Sequence, residues 1–320
     1  MVCRVCGNIK DNKPFRIREM MYGSGDEFTY FECSFCGCLQ IAEIPSDMNR
    51  YYPADYYSFR KERSGNLAER ILRRERDRYA IFKKGFIGKI ISARYPNSLL
   101  NRLGDANIRV SSRILDVGCG TGSALASLRR LGFKYLTGLD PYIERDITDK
   151  GMTIFKKTIV ELKNDEKFDL ILLNHSFEHM SGQREALNKI SRILSEDGLC
   201  LVRMPLKTEY IWNRYGRNWV QIDAPRHFFI HTKKSFAILT ERQGLATRDV
   251  VFESTKLQFY GSEQCKNGIP LMADNSYAVN PGKSIFTAKE IDSFKESAKK
   301  LNKTGEGDEA AFYLSKRQGK

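Results

Sequence analysis

Two groups of residues in this sequence have types and spacings suited to chemistry. The first is a pair of pairs, Cys3-x-x-Cys6 and Cys33-x-x-Cys36. A two-residue gap bends the backbone so that both thiolates converge, and two such knuckles supply four sulfurs for a tetrahedral zinc ion. Gly7 and Gly37 follow the pairs, where a tight turn is easiest without a side chain. None of the 4 histidines lies nearby, so the expected set is Cys3, Cys6, Cys33 and Cys36 holding Zn2+, with Cys38 as a spare. Closed four-thiolate sites are structural, so a clip for a small ribbon is the main expectation and recognition of substrate or RNA the alternative.

The second group is Ile114-Leu115-Asp116-Val117-Gly118-Cys119-Gly120-Thr121-Gly122, set between a short apolar run and a helical stretch. That is where a doubly wound sheet binds its cofactor. A dinucleotide fingerprint needs its third glycine at position 123, but that residue is Ser123, and the glycine comes one earlier at Gly122. Asp116 points a carboxylate into the site, which repels a pyrophosphate and holds an ammonium group. Asp140 ends the next strand, about where an acid grips ribose hydroxyls. Together these features describe S-adenosylmethionine better than NAD.

The elements that must position these groups follow from periodicity. From Arg113 onward, strands alternate with helices, the signature of a parallel α/β sheet. Strands are expected at 113–117, 134–140, 152–155, 168–174, 198–204, 245–253 and 309–315, and helices at 124–131, 183–194 and 232–243. The fold class is therefore α/β: a doubly wound, Rossmann-like, mostly parallel seven-stranded sheet, with a small N-terminal zinc ribbon and a helical insertion. Residues 1–60 form the ribbon and an aromatic segment at 51–57, 61–109 a helical linker, and 110–320 the main domain. The insertion covers about 255–307, too long for a hairpin loop, with a helix near 288–301. In the linker, Leu67, Ile71, Leu72, Tyr79, Phe82 and Phe86 recur near the helical period among many basic residues, as an amphipathic helix or a basic face for nucleic acid.

The 320 residues are 41% hydrophobic and 29% charged, enough apolar chain for a real core and too much for disorder. The longest apolar run, near Leu170–Leu173, is far short of the ~20 residues a bilayer helix needs, so no membrane insertion is expected. No apolar leader is visible after Met1, and the clustered thiols suit a reducing compartment, so a cytoplasmic location is expected. The 53 Lys and Arg against 39 Asp and Glu give a net charge of +14, which favours anionic partners or is simply a solvated surface.

On these residues the chain resembles a class I S-adenosylmethionine-dependent methyltransferase. Phe168-Asp169-Leu170-Ile171-Leu172-Leu173-Asn174-His175-Ser176-Phe177-Glu178-His179 is similar to the fourth-strand motif of that family's small-molecule branch. Asp223-Ala224-Pro225-Arg226-His227 with Thr232, and the stretch from Asn302 to Lys316, resemble its downstream and closing blocks. With its cysteine ribbon, the chain is similar to bacterial methyltransferases acting on sugars or surface polysaccharides. The resemblance covers about 110–316 and implies that Asp116, Gly118, Cys119, Gly120, Gly122, Asp140 and Asn174 bind S-adenosylmethionine. Two features depart from it. Lys157-Thr158-Ile159-Val160-Glu161 stands where an adenine-binding acid is usual, and Leu206 replaces an Asn.

Methyl transfer to an alcohol or carbon acid wants a base near neutral pKa, and histidine suits it. The resemblance places His175 and His179 beside the transferred methyl, and His227 and His231 on the substrate side. His227 is the first choice for base, with His175 and His179 as further catalytic residues and His231 structural. Asp223 and Arg226 are expected to bind substrate, Arg226 gripping a phosphate or carboxylate, or else to pair with each other. Glu178 and His179 could instead cap the next helix. The aromatic segment, Trp212 and Trp219 either wall the cleft or pack in the core. The expected acceptor is thus an anionic small molecule or glycan, such as a nucleotide-linked sugar or polysaccharide precursor. The alternatives are an RNA methyltransferase and a catalytically inactive binding module.

Overall fold

The computed structural model describes residues 1–53 and 65–317. Tyr56 and Tyr57 of the aromatic segment lie outside the described residues. At the N-terminus, β1 (Lys13–Arg18), β2 (Glu27–Glu32) and β3 (Leu39–Ile41) form an antiparallel meander. Three helices follow: α1 (Leu67–Phe82), α2 (Phe86–Arg94) and α3 (Ser98–Asp105). The Asn66 side chain accepts from the Glu69 N–H and starts α1, and Lys83 closes it at φ 54°.

The three helices cross closely because two glycines allow it. A Cβ on Gly104 would lie 2.2 Å from the Ala80 carbonyl oxygen, and one on Gly88 2.3 Å from that of Glu75. This close crossing overturns the expected apolar stripe. Leu67, Ile71, Leu72 and Phe86 are exposed, while Ala80, Ile81, Leu100 and Leu103 are buried. Only the end of α1 is covered by the domain, and there small residues give the tightest approach.

From residue 113 the chain runs through β4 (Arg113–Val117), α4 (Ser123–Arg130), β5 (Tyr135–Leu139), β6 (Ile147–Asp149), β7 (Met152–Phe155) and β8 (Phe168–Asn174). Next come α5 (Gln183–Ile193), β9 (Leu194–Pro205), α6 (Glu209–Tyr215), β10 (Phe229–Ile230), α7 (Lys233–Glu241) and β11 (Leu245–Phe252). The insertion supplies α8 (Leu257–Lys266) and α9 (Ala288–Thr304), and β12 (Glu309–Lys316) closes the fold. The strands order as β11-β12-β9-β8-β4-β5-β7-β6. The sheet thus has eight strands rather than seven. The addition is the short edge strand β6, antiparallel to β7, whose three residues carry no periodic signal. β4, β5, β7, β8 and β9 pair in parallel, while β12 is antiparallel to both neighbours.

Alternate side chains of each central strand enter different clusters, as the two-residue period requires. Leu170 and Leu172 pack with Ile114, Leu125, Leu128, Leu100 and Leu103. Ile171 and Leu173 pack with Leu115, α5 and α7, and this cluster continues into Val5, Ile17, Tyr30, Leu39 and Ile41 of the ribbon. The ribbon also shares backbone pairing with the main domain, because β10 extends its sheet beside β3. Leu271 and Met272 of the insertion donate to the carbonyls of Met20 and Met21, both at 2.8 Å. Trp219 is buried and its indole N–H donates to Asp308 at 2.9 Å, which makes it core rather than cleft wall. Among the described residues, no helix is long and apolar enough to cross a membrane.

Candidate active site

β4 has β5 on one side and β8 on the other, so the connections leaving it run in opposite directions and open a crevice at the strand ends. The glycine loop fills the floor of that crevice. Gly118 and Cys119 donate to the Leu139 carbonyl at 2.7 and 3.2 Å. Gly118 has φ 77°, and a Cβ there would lie 2.4 Å from that of Ser176, whose hydroxyl donates to the Val117 carbonyl at 2.6 Å. Gly118→Ala is therefore expected to cost about 1–3 kcal/mol and to weaken cofactor binding. Thermal melts and calorimetric titration check this, and an unchanged melt and affinity would refute the fit between Gly118 and Ser176.

Asp116 is buried, and among the described residues no hydrogen bond reaches its carboxylate. Burial, then the nearby Asp140, pushes its pKa up to about 7. An unpartnered buried acid beside a glycine loop fits a cationic group, such as the ammonium of S-adenosylmethionine. Asp140 accepts from Gly120 N–H at 2.8 Å and from Tyr142 N–H at 2.9 Å, so it ties the loop to β5 whatever else it grips. Cys119 faces Gly138, and burial pushes its thiol up, so it stays protonated. Gly122 caps α4 with φ 80°. Asn174 ends β8 with its carbonyl oxygen bonded to Arg203. Glu161 caps its own turn by accepting from Thr158, so it is not spare for an adenine ring.

Five side chains meet past the end of β8: His175, Glu178, His179, His227 and Glu309. His175, at φ 50°, is held by its N–H on the Arg203 carbonyl at 2.9 Å. Its Nε2 lies 3.1 Å from Glu309 and its Nδ1 3.5 Å from Glu178. Burial opposes charge on this ring, but Glu309 and then Glu178 outweigh it and raise the pKa to about 10. His175 is therefore a cation at neutral pH, which corrects its reading as a base. His179 is the opposite case: burial, then His227, lowers it to about 4, so it is neutral. Its Nδ1 donates to the Arg226 carbonyl at 2.9 Å, and His227 Nδ1 donates to the Gln221 carbonyl at 2.7 Å. A carbonyl can only accept, so each ring carries a proton on Nδ1, and in neutral His179 the lone pair sits on Nε2, while His227 Nε2 lies 3.8 Å from Asp223. The two rings meet edge to face, 4.7 Å apart.

Arg226 does not reach substrate. It is fully buried, with its guanidinium on Asp223, on Glu19 at 2.7 Å and on the Tyr51 carbonyl at 3.1 Å. Asp223 is engaged in the same pair, so neither residue is left for a phosphate, and the paired alternative is the one observed. Glu19, which sequence reasoning missed, also accepts from the N–H groups of Met21, Tyr22, Gly23 and Ser24. Glu309 and Arg203 were missed as well. Neither has a local motif; what unites them is the adjacency of β12 and β9. His231 is buried between Gln183 and Ser235, at 2.9 and 3.0 Å.

In the ribbon, the sulfurs of Cys3, Cys6, Cys33 and Cys36 lie within 4.8 Å of one another. Gly7 and Gly37 close the two knuckles by donating to the Cys3 and Cys33 carbonyls at 2.9 and 2.8 Å. Gln40 Nε2 donates to Cys3 Sγ at 2.9 Å, an outer contact of the kind that orients a metal ligand. This donor set fits zinc. Cys38 is buried outside the four, with its thiol toward the Leu39 carbonyl at 3.7 Å. Protein purified without chelator is expected to carry about one thiolate-bound zinc per chain. Metal analysis checks this, and less than about half an ion would refute the site.

The class of protein follows from what the loop tolerates: a cationic cofactor, since Asp116 would repel a pyrophosphate. The chain carries a methyltransferase domain. Residues 89–250 match the family described as a methyltransferase domain, and the chain belongs to that family. It is 22% identical over 173 residues to the mitochondrial ubiquinone biosynthesis O-methyltransferase of Dictyostelium discoideum, covering 44% of this chain and 54% of that one. It is 30% identical over 138 residues to the malonyl-[acyl-carrier protein] O-methyltransferase of Bacillus cereus, covering 38% and 51%. The chain thus spans about half the length of these curated relatives. A solved SAM-dependent methyltransferase from Archaeoglobus fulgidus is 19% identical, with 75% of this chain and 97% of that one covered and a TM-score of 0.41.

Proposed function

We propose that this protein transfers a methyl group from S-adenosylmethionine to a hydroxyl of a small-molecule or glycan acceptor. The observation that carries the reading is the histidine pair, His179 and His227, whose rings meet with each Nδ1 on a backbone carbonyl, set past the end of β8 beside the strand that carries Asp116 and the glycine loop. When bound, the cofactor supplies the methyl as a sulfonium electrophile. Asp116 and the loop hold its cationic end, and Asp140 keeps the loop shaped. His227 receives or directs the proton that the acceptor hydroxyl must lose, through the Nε2 lone pair. His175 places its single charge between Glu178 and Glu309, nearer to Glu309, and so fixes the floor beneath the pair. The O-methyltransferase names of the two curated relatives support an oxygen acceptor.

With Arg226 buried, a phosphate-bearing acceptor such as a nucleotide-linked sugar rests on the net charge alone, and the ribbon acts as a clip. The test supplies labelled S-adenosylmethionine and the purified protein to a desalted extract and fractionates the label. Label in small-molecule or glycan material that survives ribonuclease supports the proposal. Label lost on ribonuclease treatment transfers the function to RNA, and no label above a boiled control overturns methyl transfer.

A further inference from the structure

We infer that Glu178, His179 and His227 form a binding site for one divalent transition-metal ion, separate from the cysteine ribbon. One carboxylate oxygen and one ring nitrogen from each histidine lie within 4.8 Å of one another. Both Glu178 oxygens are buried without a hydrogen-bond partner; the nearest cation is His175 Nδ1 at 3.5 Å. A buried carboxylate without donors is costly unless something positive meets it. The imidazoles are prepared for that role, because the backbone carbonyls of Arg226 and Gln221 take both Nδ1 protons. A histidine that ligates a metal is usually oriented in this way, by the hydrogen bond of its other nitrogen. Two imidazole nitrogens and one carboxylate suit zinc, cobalt, nickel or iron(II) better than magnesium or calcium, which prefer oxygen.

The three ligands come from the turn after β8 and the loop before β10, which the fold closes against each other: the Phe228 N–H donates to the Glu178 carbonyl at 2.8 Å. Three protein ligands leave a tetrahedral ion one further position, as in catalytic zinc sites. The inference rests on and deepens the proposed function, because an acceptor oxygen bound there would have a lowered pKa and would release its proton to solvent water before it takes the methyl group. In that state His227 acts as a ligand, not as the proton acceptor. Metal binding itself does not depend on methyl transfer.

The test is equilibrium dialysis of the full chain against cobalt(II), with no cofactor or acceptor, compared with Glu178→Gln and His179→Gln. Cobalt held by the ribbon is read separately through thiolate-to-cobalt charge transfer in the near ultraviolet. The expected result is one more ion per wild-type chain than per variant chain, with equal thiolate absorption in all three. Outer-shell changes alone cost about 10–100-fold in affinity, so loss of a ligand should cost at least about 100-fold. Equal stoichiometry and affinity in the wild type and the folded variants would overturn the site, as would a wild type that binds only through thiolates. Should Glu178→Gln fail to fold, His179→Gln carries the comparison, since that side chain is only partly buried. Chelator that removes this ion and slows methylation links the site to the reaction. Metal binding without methylation leaves the site standing and removes the proposed function.

Discussion

His227→Gln is expected to lower the rate of methyl transfer by about 10²–10⁴-fold while leaving S-adenosylmethionine affinity essentially unchanged. The separation follows from position. His227 lies in the loop before β10, with Nδ1 donating to Gln221 at 2.7 Å, while the cofactor groups sit on the loop after β4. Glutamine has similar reach but no basic nitrogen, so it removes the lone pair and keeps most of the packing. The same loss is expected whether Nε2 accepts the proton or binds an ion, and sensitivity to chelator separates those two roles. Single-turnover rates and calorimetric cofactor titration read the two effects independently. A wild-type rate would remove His227 from the chemistry, and a parallel loss of cofactor affinity would make its role structural.

Much of this arrangement was legible in the sequence because it depends on local chemistry. The run from Arg113 to Gly122 states its strand, loop and helix in consecutive residues, and the strand at 168–174 is bounded by polar residues at both ends. The cysteine knuckles are equally local. What could not be read depends on which distant segments meet. Arg226 looks like an anion-binding side chain until Glu19, from the ribbon, is found beneath it. His175 looks like a base until β12 brings Glu309 to its Nε2. The amphipathic stripe of α1 failed for a related reason. Periodicity says which residues share a face, but the glycines of α2 and α3 decide where that face is covered. The ribbon boundary is the same lesson in reverse: β10 joins the ribbon sheet, although nothing in Phe229–Ile230 marks it as that sheet's fourth strand.

Asp116→Asn should move stability and cofactor affinity in opposite directions. Asp116 has its pKa raised from 3.8 to about 7 in the folded protein, first by burial and then by Asp140. Between those values the folded chain keeps a proton that the unfolded chain has released. The stability associated with the protonated acid is therefore complete below about 3.8 and is lost as pH rises to about 7. Roughly three pH units at ~1.4 kcal/mol each make the ionised acid cost the cofactor-free fold up to about 4 kcal/mol above neutrality. Asparagine has no such charge, so the variant without cofactor should melt higher than wild type at pH 8 and alike near pH 3. Cofactor binding reverses the sign, because a cationic ligand favours the ionised carboxylate. Wild-type affinity should rise with pH up to about 7 and then level, whereas the variant should bind roughly 100-fold more weakly with no such rise. Melts at the two pH values and calorimetry across the range measure both. Wild-type affinity in Asp116→Asn would mean that the carboxylate does not face the cofactor. A variant that melts lower at pH 8 would mean that the buried charge has a partner in the fold.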